Sequence, residues 1–466
     1  MVDEPLLKQT LDLARSFLEE LPRRHVGARA DHAARLDALR RPLADDGVGA
    51  DRVVAELARD VQPGLVASAG PRYFGFVIGG AMPVALAADW LTSAWDQNAG
   101  LYAASPAASV VEQVAGDWVV DLLGLPRTAS VGFVTGGQMA NTTALAAARY
   151  AVLRRAGWDV EEDGLIGAPA VQVLLGDEAH VTVSAALRML GLGQRRAIRV
   201  PADDQGRMRV DGLRHALAGC DGPTIVCAQA GNVNSGAFDP LEEIAALVRA
   251  REGWLHVDGA FGLWAGASPD LRHHVAGVAL ADSWATDAHK WLNVPYDSGI
   301  AIVADRAAHR AAMTLRASYL LPAEGAQRDP LDWVPETSRR ARGFAVYAAL
   351  RCLGRRGVAG LVDRCCGLAR RMAAALAAAP GVRILNDVVL NQVLVRFEPT
   401  AGGDADALTR AVIARVQRDG VCWLGGTRWR GFDAMRISVS NWSTTEADID
   451  RSAAAILAAA GAEGLT

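Results

Sequence analysis

Apolar positions follow two spacings along the chain, and these spacings predict different elements. Near the N-terminus, apolar residues come at alternating steps of four and three, as on one face of an amphipathic helix. They are Leu7, Leu11, Ala14, Leu18 and Leu21. Further along, short runs that are apolar throughout alternate with longer helical stretches. These runs are 131–135, 171–175, 198–200, 224–228, 254–257, 283–286 and 300–303.

Strands that are apolar on both faces, with helices between them, indicate a mostly parallel sheet covered on both sides. After a helical stretch at about 340–380, further runs at 382–385, 393–397, 421–424 and 435–439 alternate with helices. The sequence therefore predicts an α/β protein. We expect an N-terminal helical segment at 1–80, a large domain with a doubly wound sheet at 81–345, and a smaller C-terminal α+β domain at 346–466.

Composition narrows the classes of partner. The net charge is only -4 and no long basic block occurs, so nothing favours nucleic acid or an anionic membrane as a partner. The N-terminus lacks the features of a signal peptide, and no apolar run approaches the roughly 20 residues of a membrane span. The six cysteines form no CxxC pair and have no histidine at zinc-ligand spacing. We expect a cytoplasmic protein with reduced thiols and no metal site, and the composition leaves small polar substrates open.

Lysine is almost absent from the chain. Of 48 basic residues, only Lys8 and Lys290 are lysines. A guanidinium stays protonated, whereas a lysine amine can form an imine with a carbonyl compound. Lys290 is therefore a candidate nucleophile, although chance survival of one lysine would explain the count equally well.

Two polar positions follow predicted strands, at the sheet edge where α/β proteins bind ligands. His180 comes just after the strand of LLGDEAH, and Asp258 ends the strand of WLHVDGAFG. Each has a plainer interpretation, because a histidine here could cap a helix and an aspartate could close a turn. The segment TGGQ at 135–138 joins a strand to an Ala-rich helix and could hold a phosphate, or could simply be a turn.

The second lysine lies in SWATDAHKWLNVPYDSG, where Thr286, Asp287, His289 and Lys290 follow one another at the end of a strand. A lone lysine in a loop is usually solvated. Here His289 and Trp291 flank it, which suggests partial burial and a reactive amine.

The order TGGQMANTT, DEAHVTV, AGNVNSGAFDP, WLHVDGAFG and DSWATDAHKW resembles the group II decarboxylases that use pyridoxal 5'-phosphate (PLP), the family of aromatic amino acid and glutamate decarboxylases. The similarity runs from PRYFGF near 71 to MRISVSNWSTTEADID near 450, which covers most of the chain. It implies PLP fold type I, PLP as cofactor and an amino acid as substrate.

The resemblance also implies roles. Lys290 would bind PLP as a Schiff base, Asp258 would pair with the pyridine nitrogen, and His180 would stack on the ring; these three would be catalytic. The remaining cofactor-binding residues would be Gly136, Gly137, Gln138 and His289 at the phosphate, Ala260 against the other ring face, and Asn234 and Thr286 nearby.

The reaction that the resemblance implies is loss of CO2 from Cα through a quinonoid intermediate. Family members commonly carry a tyrosine on a loop after the lysine, which supplies a proton to that carbon. Tyr319 begins the matching segment, but no tyrosine occurs from Leu320 to Arg340, and the aligned position is near Pro330. Aldehyde synthesis, retro-aldol cleavage, transamination and PLP binding without catalysis therefore stay open as alternatives.

Substrate contacts are predicted from aromatic residues, which suit an apolar or aromatic amino acid but would also suit any core. They are Tyr73, Phe74, Phe76, Trp95 and Tyr102, with Leu101 beside them. Arg436 could hold a substrate carboxylate or pair with a nearby acid. The resemblance further implies a homodimer in which the N-terminal helix and segment 95–105 approach the other subunit.

Overall fold

A computed structural model describes residues 3–29, 31–315 and 327–465. In chain order its α-helices are α1 (Glu4–Glu20), α2 (His32–Leu39), α3 (Ala50–Val61), α4 (Pro83–Trp95), α5 (Pro106–Leu122), α6 (Gly137–Arg155), α7 (Val160–Asp163), α8 (Val181–Met189), α9 (Val210–Ala218), α10 (Leu241–Arg249), α11 (Arg306–Met313), α12 (Gly343–Ala377), α13 (Ala405–Asp419) and α14 (Glu446–Ala462). Short 3₁₀ helices occur at Gln62–Gly64, Gln194–Arg196, Gly262–Ala267, Arg272–Val275, Val278–Leu280 and Pro330–Trp333.

The strands are β1 (Ser130–Val134), β2 (Gln172–Gly176), β3 (Ile198–Val200), β4 (Thr224–Gln229), β5 (Trp254–Asp258), β6 (Ser283–Asp287), β7 (Gly299–Val303), β8 (Val382–Ile384), β9 (Gln392–Phe397), β10 (Gly425–Trp429) and β11 (Phe432–Ser438). All seven strands predicted before residue 304 are confirmed, to within one or two residues at each end. Strands β1 and β4 to β7 are buried along their whole length, because helices cover both faces of their sheet.

The chain forms two compact units. The central unit comprises Gly79–Ala369 and Asn386–Gln392, and the terminal unit comprises the described parts of Met1–Ile78, Arg370–Leu385 and Val393–Thr466. The predicted boundaries at 80 and 345 divide the chain into three consecutive segments, and they stay a prediction about its domains. In the structure, residues 3–78 group with the C-terminal residues.

The sheet of the central unit has seven strands in the order β1-β7-β6-β5-β4-β2-β3. Strand β7 is antiparallel to both of its neighbours, and the other pairs are parallel. This confirms a doubly wound, mostly parallel sheet. The carboxyl ends of six strands therefore lie at one edge, which is where such sheets bind ligands.

The sheet of the terminal unit has four strands in the order β10-β11-β9-β8. The strand predicted at 421–424 is wrong. Cys422 and Leu424 are buried, and Trp423 forms only an isolated bridge with Tyr73, so burial and not strand pairing explains this apolar run. Strand β10 instead begins at Gly425, where two glycines weaken the sequence signal of a strand.

The predicted N-terminal helix is confirmed as α1. Asp3 caps it by accepting a hydrogen bond from the Leu6 N–H. No residue of α1 is buried. Of the apolar stripe, Leu7 (61%), Leu11 (48%) and Leu18 (39%) are exposed, whereas Leu21, just after the helix, is buried. Within the described residues, no helix combines the length and apolar character that a membrane span requires.

Candidate active site

The candidate site lies at the carboxyl edge of the central sheet. Asp258 is the last residue of β5 and Asp287 the last of β6, while Gly136 follows β1 and His180 follows β2. The parallel register of β5 with β6 pairs Asp258 with Ala285. Sequence positions that are up to 151 residues apart, Gly136 and Asp287, therefore meet at one edge of one sheet.

Lys290 is held by an aspartate at the end of β6. Its Nζ lies 3.0 Å from Oδ2 of Asp287, and Nε2 of His289 lies 3.4 Å from Oδ1 of the same carboxylate. Burial lowers the pKa of His289, which favours the neutral ring. Because Nδ1 of His289 accepts the Ser298 N–H at 3.1 Å, Nε2 carries the proton and points to Asp287.

The turn before α6 lies against this cluster. A Cβ atom on Gly137 would lie 2.7 Å from Oδ2 of Asp287, and one on Gly136 would lie 3.2 Å from Cε1 of His289. Glycine at both positions thus leaves room between the start of a long helix and the Asp287, His289 and Lys290 cluster. Gln138 is exposed, and its side chain contacts the Met189 sulfur.

Asp258 and His180 line one cavity, together with Gln229 and Cys227. Asp258 is buried, and its Oδ1 accepts the Ala260 N–H at 3.1 Å. Burial, with a smaller contribution from the charge of Asp258, raises the pKa of Cys227 to about 12, so this thiol stays protonated. His180 is the N-cap of α8, and its Nδ1 lies 2.8 Å from Oγ1 of Thr182. The capping role and a place in the cavity are thus compatible.

Three further residues were predicted to contact the cofactor. Ala260 and Thr286 lie near this edge of the sheet, and Asn234 lies in the loop after β4. Thr286 is fully buried, and its hydroxyl donates to the Ala260 carbonyl at 3.4 Å. The N–H of Asn234, which is buried, donates to Oδ1 of Asn232 at 2.8 Å.

Sequence reasoning missed the segment that fixes the lysine loop. The Gly79 N–H donates to the His289 carbonyl at 3.4 Å, and the Gly80 N–H donates to Oδ1 of Asn293 at 2.5 Å. A Cβ atom on Gly79 would overlap the carbonyl oxygen of Lys290. The signal in the sequence was the pair of glycines in PRYFGFVIGG. Asp287 was also missed as a partner for Lys290, although it stands three residues before it.

Four of the predicted substrate residues belong to the terminal unit. Tyr73 stacks on Trp423 with ring centroids 5.1 Å apart, and burial raises the pKa of Tyr73 to about 12. Phe74 is buried, and Phe76 is more than half exposed. Arg436 lies on β11, and burial lowers the pKa of its guanidinium.

The others belong to the central unit. Trp95 ends α4 and packs edge-on against Phe344, with ring centroids 5.1 Å apart. Leu101 and Tyr102 are partly exposed in the following loop, where the Tyr102 N–H donates to Oδ1 of Asp329 at 2.8 Å. Tyr319 lies outside the described residues. Pro330, the position aligned with the family tyrosine, is buried at the start of a 3₁₀ helix.

The residues present fit PLP. Oδ1 of Asp287 is buried and makes no well-formed hydrogen bond with the described residues, since Nε2 of His289 approaches it only to 3.4 Å. A lysine, a buried carboxylate at the end of the neighbouring strand and a glycine turn at a helix start are the three features needed to bind an aldehyde, a pyridine nitrogen and a phosphate. The donor set thus agrees with the chemistry of this cofactor.

Comparison with known proteins agrees with this chemistry. The family described as "Pyridoxal-dependent decarboxylase conserved domain" matches residues 37–398. The chain is 26% identical to an aromatic-L-amino-acid decarboxylase of Bacillus atrophaeus (94% of this chain, 91% of that protein) and 30% identical to an L-2,4-diaminobutyrate decarboxylase of Rhizobium meliloti (87% and 81%). A 4-hydroxyphenylacetaldehyde synthase of Rhodiola rosea is 26% identical (87% and 84%).

Among solved structures, Oryza sativa TDC with PLP and tryptamine has the same fold. Its TM-score is 0.92 at 24% identity, over 99% of this chain and 98% of that one. The family match covers well over half of the sequence, and the relatives are aligned over most of their own length. The chain therefore belongs to the PLP-dependent amino acid decarboxylase family, whose members are carbon–carbon lyases.

Proposed function

We propose that this protein removes the α-carboxylate of an apolar or aromatic L-amino acid as CO2 and releases the amine. When bound, PLP supplies an electron sink for the pair left on Cα. The observation that carries the proposal is the meeting of Lys290, Asp258 and His180 at one edge of the central sheet.

The roles proposed for the three residues follow from their chemistry. Lys290, whose amine pairs with Asp287, would bind the cofactor covalently. Asp258 presents a buried carboxylate that keeps the pyridine nitrogen protonated. The imidazole of His180 would stack on the cofactor ring and fix its tilt, which would select the bond at Cα that is cleaved.

The phosphate contacts that we propose are the backbone and side chains around the start of α6. Gly136, Gly137 and Gln138 offer N–H groups at the positive end of a 19-residue helix. His289 would contact the phosphate through its Nε2–H, which would exchange Asp287 for the phosphate. Ala260, Thr286 and Asn234 complete the proposed set of cofactor contacts.

A panel of amino acids tests the reaction. We expect an aromatic substrate to exceed glutamate and 2,4-diaminobutyrate in kcat/KM by more than about tenfold, because the predicted substrate residues are mostly aromatic. CO2, amine, aldehyde and hydrogen peroxide should be measured separately. Consumption of amino acid without CO2 would contradict decarboxylation and favour transamination or retro-aldol cleavage, and no turnover of any amino acid would favour binding alone.

A second candidate function is aldehyde synthesis, because no tyrosine occurs between Leu320 and Arg340. A relative with that activity supports it. In that reaction the amino acid, O2 and water give aldehyde, CO2, ammonia and hydrogen peroxide. Equal amounts of aldehyde and peroxide in the panel, with little amine, would establish aldehyde synthesis and contradict decarboxylation to the amine.

We also propose a homodimer whose interface includes α1. The support is the open leucine stripe of that helix, which a water-soluble chain would otherwise leave exposed. Leu11→Glu should shift the mass measured by light scattering from dimer toward monomer. Ser16→Glu adds the same charge on the opposite face of α1 and should leave the mass unchanged. A monomeric unmodified protein, or equal effects of both variants, would contradict the proposal.

A further inference from the structure

A series of buried hydrogen bonds, called here the hydrogen-bond chain, ends at the Asp258 carboxylate. Nδ2 of Asn141, on α6, donates to Oδ2 of Asp258 at 3.2 Å. Oδ1 of the same amide lies 2.9 Å from Nε2 of His256, and Nδ1 of His256 lies 3.0 Å from Oγ of Ser283. Asn141, His256 and Ser283 are fully buried. Neither Asn141 nor His256 is in the set of cofactor contacts proposed above.

The direction of each hydrogen bond follows from the carboxylate at its end. A carboxylate accepts, so Asn141 must turn its Nδ2 toward Asp258 and its Oδ1 toward His256. Burial lowers the pKa of His256 to about 4, so the ring is neutral and carries one proton. Because Oδ1 of Asn141 can only accept, that proton is on Nε2.

The hydrogen bonds at the other end of the hydrogen-bond chain, at Ser283 and Trp254, agree with this tautomer. Nδ1 of His256 has no proton, so the Ser283 hydroxyl donates to it. The Trp254 Nε1–H, which can only donate, supplies a hydrogen bond to the Ser283 oxygen at 2.8 Å. The series of hydrogen bonds that begins at the Trp254 N–H and ends at the Asp258 carboxylate therefore has one consistent set of donors and acceptors.

A branch of the same chain reaches the other candidate catalytic side chain. The second hydrogen of Asn141 Nδ2 points to Oγ1 of Thr182 at 3.3 Å. The Thr182 hydroxyl then donates to Nδ1 of His180 at 2.8 Å, and the Thr182 N–H points to the same atom at 3.4 Å. One amide thus orients both the carboxylate and, through a threonine, the imidazole.

We propose that Asn141 and His256 are positioning residues for the cofactor. Asn141 fixes the Asp258 carboxylate and the His180 ring in one arrangement, and His256 keeps Asn141 from turning over. This inference rests on the proposed function, since it assumes that Asp258 and His180 contact PLP.

The physical reason is the cost of burying a charge. Among the described residues, the buried Asp258 carboxylate accepts hydrogen bonds from two donors, the Ala260 N–H and Asn141 Nδ2. If Asn141 turned over, its carbonyl oxygen would face the carboxylate. The Nε2–H of His256 prevents this, because the turned amide would present an N–H to another N–H.

Paired substitutions of His256 separate positioning from packing. Glutamine places an amide N–H near the position of Nε2, whereas asparagine reaches only the position of Nδ1. We expect His256→Gln to bind PLP within about twofold of the unmodified protein and His256→Asn to bind about tenfold more weakly. Asn141→Leu, which removes the donor itself, should weaken binding by about ten- to a hundredfold. The measurement is the dissociation constant for PLP, added to protein freed of cofactor.

A second measurement detects the position of the His256 proton in the unmodified protein. In protein labelled with ¹⁵N only in histidine, the His256 signal should show a proton on Nε2 and none on Nδ1, and it should be identified by its loss in His256→Gln. A proton on Nδ1 would overturn the proposal. So would equal PLP affinity of the glutamine and asparagine variants.

These results are distinct from a failure of the proposed function. If the unmodified protein binds PLP at Lys290 and the His256 variants bind equally well, only the positioning role is wrong. If the unmodified protein binds no PLP, the site assignment and the positioning role are both wrong.

Discussion

Lys290→Ala should abolish the visible absorbance of bound PLP and lower turnover by about a thousandfold or more, since it removes the one amine at the candidate site. The arginine-rich composition gives this experiment an unusual control. Lys8, the other lysine, is exposed on α1, so Lys8→Ala should keep both the absorbance and the turnover.

Borohydride reduction locates the attachment directly. The reduced protein should carry one pyridoxyl group per chain, and mass spectrometry of its peptides should place the group on Lys290 and not on Lys8. Substantial turnover by Lys290→Ala, with a visible absorbance that survives dialysis, would contradict covalent attachment at this residue.

Glu112→Gln should lower the free energy of unfolding by about 3–5 kcal/mol. Glu112 on α5 accepts two hydrogen bonds from Arg339, Nη1 to Oε1 at 2.8 Å and Nη2 to Oε2 at 2.6 Å. Both side chains are about 1% exposed, and Nη1 of Arg328 lies 3.9 Å from the same carboxylate. Removing the negative charge would leave these buried guanidinium groups without a counter-ion.

The matched control is Glu446→Gln. Glu446 pairs with Arg371 at 3.0 Å, but it is 72% exposed, so its loss should cost about 0–1 kcal/mol. The measurement is urea-induced unfolding of the three proteins under one set of conditions. Equal unfolding curves for the two variants would show that the buried pair contributes no more than the exposed one.

The fold could be predicted from sequence where a buried element is also a continuous apolar run. Strands such as β4 and β5 are buried on both faces and are apolar over most of their length, so pattern alone located them. The run at 421–424 failed because apolar residues are also buried outside strands. The boundaries of compact units are harder to predict, since they depend on which distant segments pack together.

Some residues of the candidate site could likewise be predicted from the sequence, and others could not. Asp258 and Lys290 could be predicted because each stands at or within three residues of the end of a recognisable strand, and family motifs supplied the roles proposed for them. Asn141 and His256 were missed, because each resembles an ordinary buried residue of its own element. Their 2.9 Å contact joins positions 115 residues apart and exists only once α6 packs on β5.

Gly79 has a consequence for redesign of this enzyme. The segment before α4 contains residues that an engineer would choose to vary, since its aromatic side chains were predicted to contact substrate. Position 79 is closed to every other amino acid, because a side chain there would push the carbonyl of Lys290, the residue that we propose binds the cofactor. Diversity for new substrates must therefore come from neighbouring positions, with this glycine held constant.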